Sequence, residues 1–84
     1  MSREEFINLC IEKKIKYQEA KDCGWPEDFD GVYALGEKET LSDGGEFTPY
    51  LRVSDFEKNR QYVRDCGICG YHNDKWIRKR LATL

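Results

Sequence analysis

The feature that most constrains this chain is a pair of cysteines, Cys66 and Cys69, that are two residues apart and each followed by a glycine. Two cysteines at this spacing can place both thiolates on one tetrahedral metal, and the glycines allow the backbone to curl around the sulfur atoms. Thioredoxin-type redox pairs share the spacing, but there the first cysteine begins a helix inside a βαβ unit. Because this pair is predicted to follow a short helix and to precede a gap, the pattern favours a zinc knuckle.

One cysteine pair supplies only half of a closed zinc site, so further ligands are required. Cys23 lies in an Asp-Cys-Gly segment like that of Cys66 and is the best third ligand. The fourth ligand is open: Cys10 would give all four cysteines one role, and it also fits a buried free cysteine on an apolar helix face. The predicted Zn²⁺ site is Cys10, Cys23, Cys66 and Cys69, with His72 as the alternative fourth ligand.

The length of 84 residues limits the chain to a single domain, 1–84, with a core small enough that a metal would help to stabilise it. Aromatic residues make up 13% of the chain, which excludes a disordered tail. No apolar run approaches the roughly 20 residues that cross a bilayer, and Glu4 and Glu5 interrupt any secretory signal. The expected location is cytoplasmic, where reduced thiols favour metal or redox chemistry over disulfides.

Helix-capping signals predict three short helices. Capping-box patterns at residues 2–5 and 54–57 begin the first two, and the second is expected to run into Cys66. Asn73 or Asp74 begins the third. The apolar side of that third helix is formed by Ile77, Leu81 and Leu84.

Alternating apolar residues predict a β-hairpin between the first two helices. Residues 32–35 and 47–53 read as its strands, and 36–46 as its loop. Pro49 cannot donate to a ladder, so the second strand is expected at an edge, while 15–17 fits either a helix end or a strand. The predicted fold is a small zinc-stapled α+β domain with three short helices, a β-hairpin and a CxxC zinc knuckle.

Charge is unevenly distributed along the chain. Residues 22–46 contain eight acids and one base, whereas residues 58–84 contain seven bases and two acids. The last predicted helix is therefore a candidate contact surface for nucleic acid or a protein partner, unless its charges only keep it soluble. The residues assigned to that contact are Lys75, Trp76, Arg78, Lys79 and Arg80.

No nucleophile beside a base, carboxylate pair or glycine-rich phosphate loop is evident, so the chain is not predicted to be an enzyme. We expect a small zinc-binding regulatory or interaction protein that binds a protein partner through exposed aromatics such as Trp25, Tyr50 or Trp76. A DNA-binding regulator that uses the basic helix is the alternative, and a CxxC thiol redox protein is a distant third. The sequence does not specify the oligomeric state.

A family resemblance rests on Leu9-Cys10, Cys23, the segment 30–33 and the segment 66–72, in that order. This arrangement resembles the small early-region proteins of lambdoid phages, which combine a homeodomain-like helical part with a zinc finger. The resemblance implies a zinc-bearing helical protein made by a phage that acts on a host regulatory target. The spacing between Cys10 and Cys23 and the basic C-terminal extension depart from that pattern.

Overall fold

The computed structural model describes residues 1–20, 31–56, 61–65 and 67–84. Within these ranges the chain forms two helices and seven strands. In chain order they are α1 (Arg3–Glu12), β1 (Lys16–Ala20), β2 (Gly31–Leu35), β3 (Glu39–Thr40), β4 (Glu46–Phe47), β5 (Tyr50–Ser54), β6 (Gln61–Asp65), β7 (Ile68–His72) and α2 (Asp74–Thr83). None of the described helices is long and apolar enough to cross a membrane.

Five strands form one antiparallel sheet in the order β1-β2-β5-β6-β7. Strands β3 and β4 pair with each other and form a small hairpin inserted between β2 and β5. The sheet is therefore an up-and-down meander whose outer strands, among the described residues, are β1 and β7.

Both helices pack on the same face of this sheet. Successive strand residues point to opposite faces, so the paired residues Val32, Val53 and Val63 share one face. That face and the two helices form the core, in which each buried aliphatic side chain contributes about 1.5–3 kcal/mol. The core residues are Phe6, Cys10, Val32, Ala34, Leu51, Val53, Val63, Ile77 and Leu81.

The first and last predicted helices are confirmed, with their caps. The Ser2 hydroxyl accepts a hydrogen bond from the Glu5 amide at 3.1 Å and begins α1. The Asn73 side-chain oxygen accepts one from the Trp76 amide at 3.0 Å and begins α2. Each cap satisfies an amide that has no partner within its own helix.

The prediction of three helices is wrong, because the middle one is not formed. Strand β5 continues to Ser54, and residues 61–65 form β6 instead of a helix. In β6, Gln61, Val63 and Asp65 are buried and alternate with more exposed residues, which is the period of a strand. The capping-box pattern at 54–57 is purely local, and pairing of β6 with β5 and β7 overrides it. The molecule remains a small α+β protein, but strands dominate it.

The knuckle expected at the cysteine pair also takes another form in the described residues. Ile68–His72 make up β7, whose register with β6 pairs Asp65 with Ile68. Only residues 66 and 67 lie between these two, and Gly67 has φ +83°, a conformation that favours glycine. Cys66 lies outside the described residues, as does Cys23.

The two predicted hairpin strands do pair, but the prediction that the second one lies at an edge of the sheet is wrong. Residues 31–35 and 50–54 pair as β2 and β5, and the β3–β4 hairpin occupies the predicted loop. Strand β5 is the middle strand of the sheet. Pro49 is compatible with this position because it precedes the strand and so removes no hydrogen bond from the ladder. The Pro49 carbonyl accepts from the Gly36 amide at 2.8 Å, and a Cβ at Gly36 would lie 2.8 Å from the Pro49 ring.

Candidate functional site: the β7 edge and the helix-free face of the sheet

The two described cysteines lie on opposite sides of the sheet. Cys10 is fully buried on the core side of α1, and this burial raises the pKa of its thiol to about 11. Cys69 is exposed on β7, opposite Arg64 of β6 and therefore on the face opposite the two described helices, the helix-free face. Because Cys10 and Cys69 lie on opposite faces, a site that contains both cysteines would need ligands from both faces of the sheet.

The zinc site therefore stays a prediction, and the geometry favours a ligand set without Cys10. The described residues contain no group of three or more histidine, cysteine or acidic side chains placed to hold a metal ion. Two of the predicted ligands, Cys23 and Cys66, lie outside those residues.

His72, the alternative fourth ligand, is half-buried at the end of β7. Its ring stacks on Trp76 of α2, with the ring centroids 4.0 Å apart and the planes 21° from parallel. The stack connects the last residue of β7 to the first turn of α2. Trp76, which the sequence assigned to partner contact, is consequently half-buried against its own chain.

The five predicted contact residues of α2 divide into two groups. Lys75, Arg78 and Lys79 are exposed. Arg80 instead donates from Nη2 to the Asp65 Oδ1 atom at 3.1 Å and from Nε to Oδ2, which holds α2 against the end of β6. Asp65 is 5% exposed, so this two-bond ion pair is largely shielded from water. The basic helix thus presents fewer available charges than its sequence suggests.

Tyrosines dominate the helix-free face of the sheet. Tyr33 of β2 and Tyr50 of β5 place their ring centroids 5.6 Å apart, and Tyr62 of β6 and Tyr71 of β7 place theirs 5.4 Å apart with edge-to-face geometry. The fully buried Arg52 has its guanidinium carbon 5.9 Å from the Tyr62 ring centre. The β2, β5, β6 and β7 residues on this face, as far as the structure describes them, include no acid.

The β7 edge beside these tyrosines exposes apolar surface. Ile68 is 47% exposed and Tyr71 is 46% exposed, and no residue of β7 is an acid, a lysine or an arginine. Gly70 has φ +149°, which side-chain-bearing residues rarely adopt, and a Cβ built there would meet no atom of the described residues within 4 Å. The edge is therefore uncharged and open above its centre.

Of these residues, the sequence had singled out Tyr50 as an exposed aromatic, and it is half-buried. Tyr33, Tyr62, Tyr71 and Ile68 were missed. Tyr62 and Val63 occupy opposite faces of β6, an alternation that could have revealed both the strand and the second tyrosine pair.

Comparisons with known proteins add no relationship to this description. No protein-family model matches the chain, and neither a curated protein nor a solved structure is significantly similar to it. The resemblance to lambdoid phage proteins therefore stays a prediction.

Proposed function

We propose that this protein acts by binding, and that it takes an extended segment of a protein partner along the outer edge of β7. The observation that carries the proposal is the character of that edge, which is uncharged and exposes Ile68 and Tyr71 to nearly half of their area. Edge strands that lack charges or prolines offer their backbone groups to an added strand.

The backbone of β7 is suited to such an addition. Two residues connect β6 to β7, so Asp65 and Ile68 flank the turn and exchange hydrogen bonds. Pairs alternate in an antiparallel ladder, and the next pair, Arg64 with Cys69, is of the non-bonded kind. The N–H and C=O groups of Cys69 consequently point toward the outer edge.

The tyrosines next to this edge support a protein partner. Tyr71 and Tyr62 form a ring pair on the helix-free face, directly beside Cys69 and Arg64. Aromatic and arginine side chains are the types that contribute most to protein interfaces. Backbone pairing would provide affinity, and the side chains on each face of β7 would provide selectivity.

The proposal is tested by selecting binders from a displayed library of random twelve-residue peptides and comparing two variants at one position. Both Cys69→Pro and Cys69→Ser remove the thiol. Only Cys69→Pro also removes the backbone N–H that points outward. We expect selected peptides to bind the wild type and Cys69→Ser alike, and to bind Cys69→Pro about tenfold more weakly or worse.

A second pair of variants keeps the test valid if proline disturbs the fold. Ile68→Asn removes apolar surface at the edge, and Ile11→Asn makes the same change on α1, where Ile11 is 58% exposed. Equal peptide affinity in all four folded variants, or a library that gives no binder at all, contradicts the proposal.

A further inference from the structure

The helix side of β7 is open beside α2. Ile68 and Gly70 lie on the sheet face that carries the helices, as their pairing with Asp65 and Val63 shows. Ile68 is nonetheless 47% exposed, and among the residues that the structure describes no atom lies within 4 Å of the position that a Gly70 Cβ would take. Helix α2 contacts the ends of β6 and β7 through Arg80 and Trp76. A strip of apolar surface is left over the centre of β7.

In the described parts of β6, β7 and α2, the exposed charged residues are all bases. Arg64 is exposed on the helix-free face, next to Cys69, and Lys75 and Lys79 are exposed on α2. The two described acids of β6 and α2 are both engaged: Asp65 pairs with Arg80, and the Asp74 carboxylate lies 2.6 Å from the α-amino group of Met1. An incoming strand therefore meets Ile68 and Gly70 on the helix side, with the α2 lysines on that side as well, and Arg64 on the opposite side.

We infer that β7 selects an extended peptide in which apolar and acidic side chains alternate, an assignment that rests on the proposed function. Side chains of a strand point alternately to the two faces of the sheet. The apolar ones would cover Ile68 and the open strip above Gly70 on the helix side. The acidic ones would face Arg64 on the opposite side.

The same charges disfavour a second copy of this chain as the occupant. Antiparallel pairing of two β7 strands would bring the Arg64 residues of both copies together on the helix-free face, and the α2 lysines of both copies together on the opposite face. Like charges brought together at an interface are unfavourable. An acidic strand from a different protein meets no such repulsion.

Three fluorescein-labelled ten-residue peptides test the assignment by fluorescence anisotropy at low salt. Valine alternates with glutamate in the first, with threonine in the second and with lysine in the third. We expect the glutamate peptide to bind about tenfold more tightly than the threonine peptide, with less affinity still for the lysine peptide. Added salt should reduce the difference.

Matched variants locate the charge effect. Arg64→Gln should lower the affinity for the glutamate peptide about threefold or more, since it removes a charge beside the bound strand. Lys16→Gln removes an exposed charge from the same sheet face at the opposite edge and should change affinity by less than about 1.5-fold. Cys69→Pro should weaken all three peptides, and Cys69→Ser should not.

The outcomes separate the inference from the function on which it rests. If the threonine or lysine peptide binds as tightly as the glutamate peptide and Cys69→Pro abolishes binding, the acidic preference is wrong and strand addition at β7 stands. If no peptide binds, or if Cys69→Pro binds all of them normally, both are wrong. A dimer seen by sedimentation and dissociated by Cys69→Pro would identify a second copy of the chain as the occupant. Tighter binding of oligo-dT than of any peptide would identify nucleic acid as the occupant. Either result overturns the inference.

Discussion

Strands β1 and β7 are the outer strands of the five-stranded sheet as far as the chain is described, and their exposed side chains differ in kind. In β1, four of the five residues are exposed and two of these, Lys16 and Glu19, are charged. In β7 the exposed residues include Ile68 and Tyr71, and no lysine, arginine or acid is present. Charged side chains on an edge discourage the addition of another strand. Of these two described edges, β7 is the one that lacks charges that would discourage an added strand.

The ion pair near each edge also differs in its surroundings. At β1, the Arg3 Nη2 and Glu19 Oε1 atoms are 2.7 Å apart, and both side chains are about one third exposed. Near β7, Asp65 is almost wholly buried and forms two hydrogen bonds with Arg80. The first pair lies at the surface of an edge strand, whereas the second holds α2 in place beside β7.

The largest expected effect comes from removing these two pairs one at a time. Asp65→Ala should lower the free energy of unfolding by about 3 kcal/mol, because it leaves the Arg80 guanidinium without its buried carboxylate. Glu19→Ala should cost less than about 1 kcal/mol, since exposed pairs contribute little. Urea denaturation at pH 7 measures both. Equal losses would contradict the assigned difference between the edges.

The two described thiols provide the next contrast. Cys10 has a folded pKa of about 11 against 9.0 for an ordinary thiol, so the protonated form stabilises the fold. This contribution is complete below pH 9 and is lost as the pH rises through 11, at a cost of about 2 kcal/mol. Cys10→Ala should therefore show a smaller loss of stability between pH 9 and pH 11 than the wild type.

The control for that measurement is Cys69→Ala, which alters the exposed thiol on β7. Its loss of stability over this pH range should match that of the wild type, because folding does not bury the Cys69 side chain. A Cys10→Ala protein that loses as much stability as the wild type would show that the buried thiol does not ionise in this range.

Substitutions that remove the charges of β1 or add a charge to β7 should change self-association more than the free energy of unfolding. The double variant Lys16→Thr, Glu19→Thr gives β1 an uncharged edge and should self-associate at lower concentration, as followed by light scattering. Ile68→Lys charges β7 and should raise the concentration at which the protein begins to associate. Each substitution should change the free energy of unfolding by only about 0.5 kcal/mol, because the positions are exposed. A Lys16→Thr, Glu19→Thr protein that stays as soluble as the wild type would weaken the comparison.

The elements that could be predicted from the sequence are the helices and an inner strand, whereas the two edge strands could not. Helices α1 and α2 were predictable because Ser2 and Asn73 are local caps, and β2 because its apolar residues are buried on the core face. Strand β1 is exposed at four of five positions and so shows no apolar alternation. Strand β7 contains Gly70 and has little buried surface, so its cysteine spacing alone suggested a knuckle. Edge strands are set by pairing with a neighbour, which is not a local property of sequence.

The candidate site was hidden for a related reason. Tyr33 and Tyr50 come together only when β2 pairs with β5, and Tyr62 and Tyr71 only when β6 pairs with β7. The sequence assigned the interaction surface to the basic residues of α2, but Arg80 is held by Asp65, and Trp76 stacks on His72. Charge composition directed the prediction to the C-terminal part of the chain and could not reveal which side chains were already engaged.

The smallest expected effect concerns the predicted zinc. Native mass spectrometry of the zinc-loaded protein should give the same stoichiometry for Cys10→Ala as for the wild type, because Cys10 lies in the core on the face opposite Cys69. Cys69→Ser is the comparison that should reduce zinc retention, since one proposed ligand is lost. Loss of zinc on Cys10→Ala would restore the four-cysteine ligand set.

The most direct measurement of the difference between the edges is a titration of ¹⁵N-labelled protein with the valine-glutamate peptide, followed by amide chemical shifts. Strand addition at β7 predicts the largest shifts within Ile68–His72, with slower amide exchange at Cys69, and little change within Lys16–Ala20. Shifts centred on β1, or spread evenly over both edges, would contradict the assignment of β7 as the binding edge.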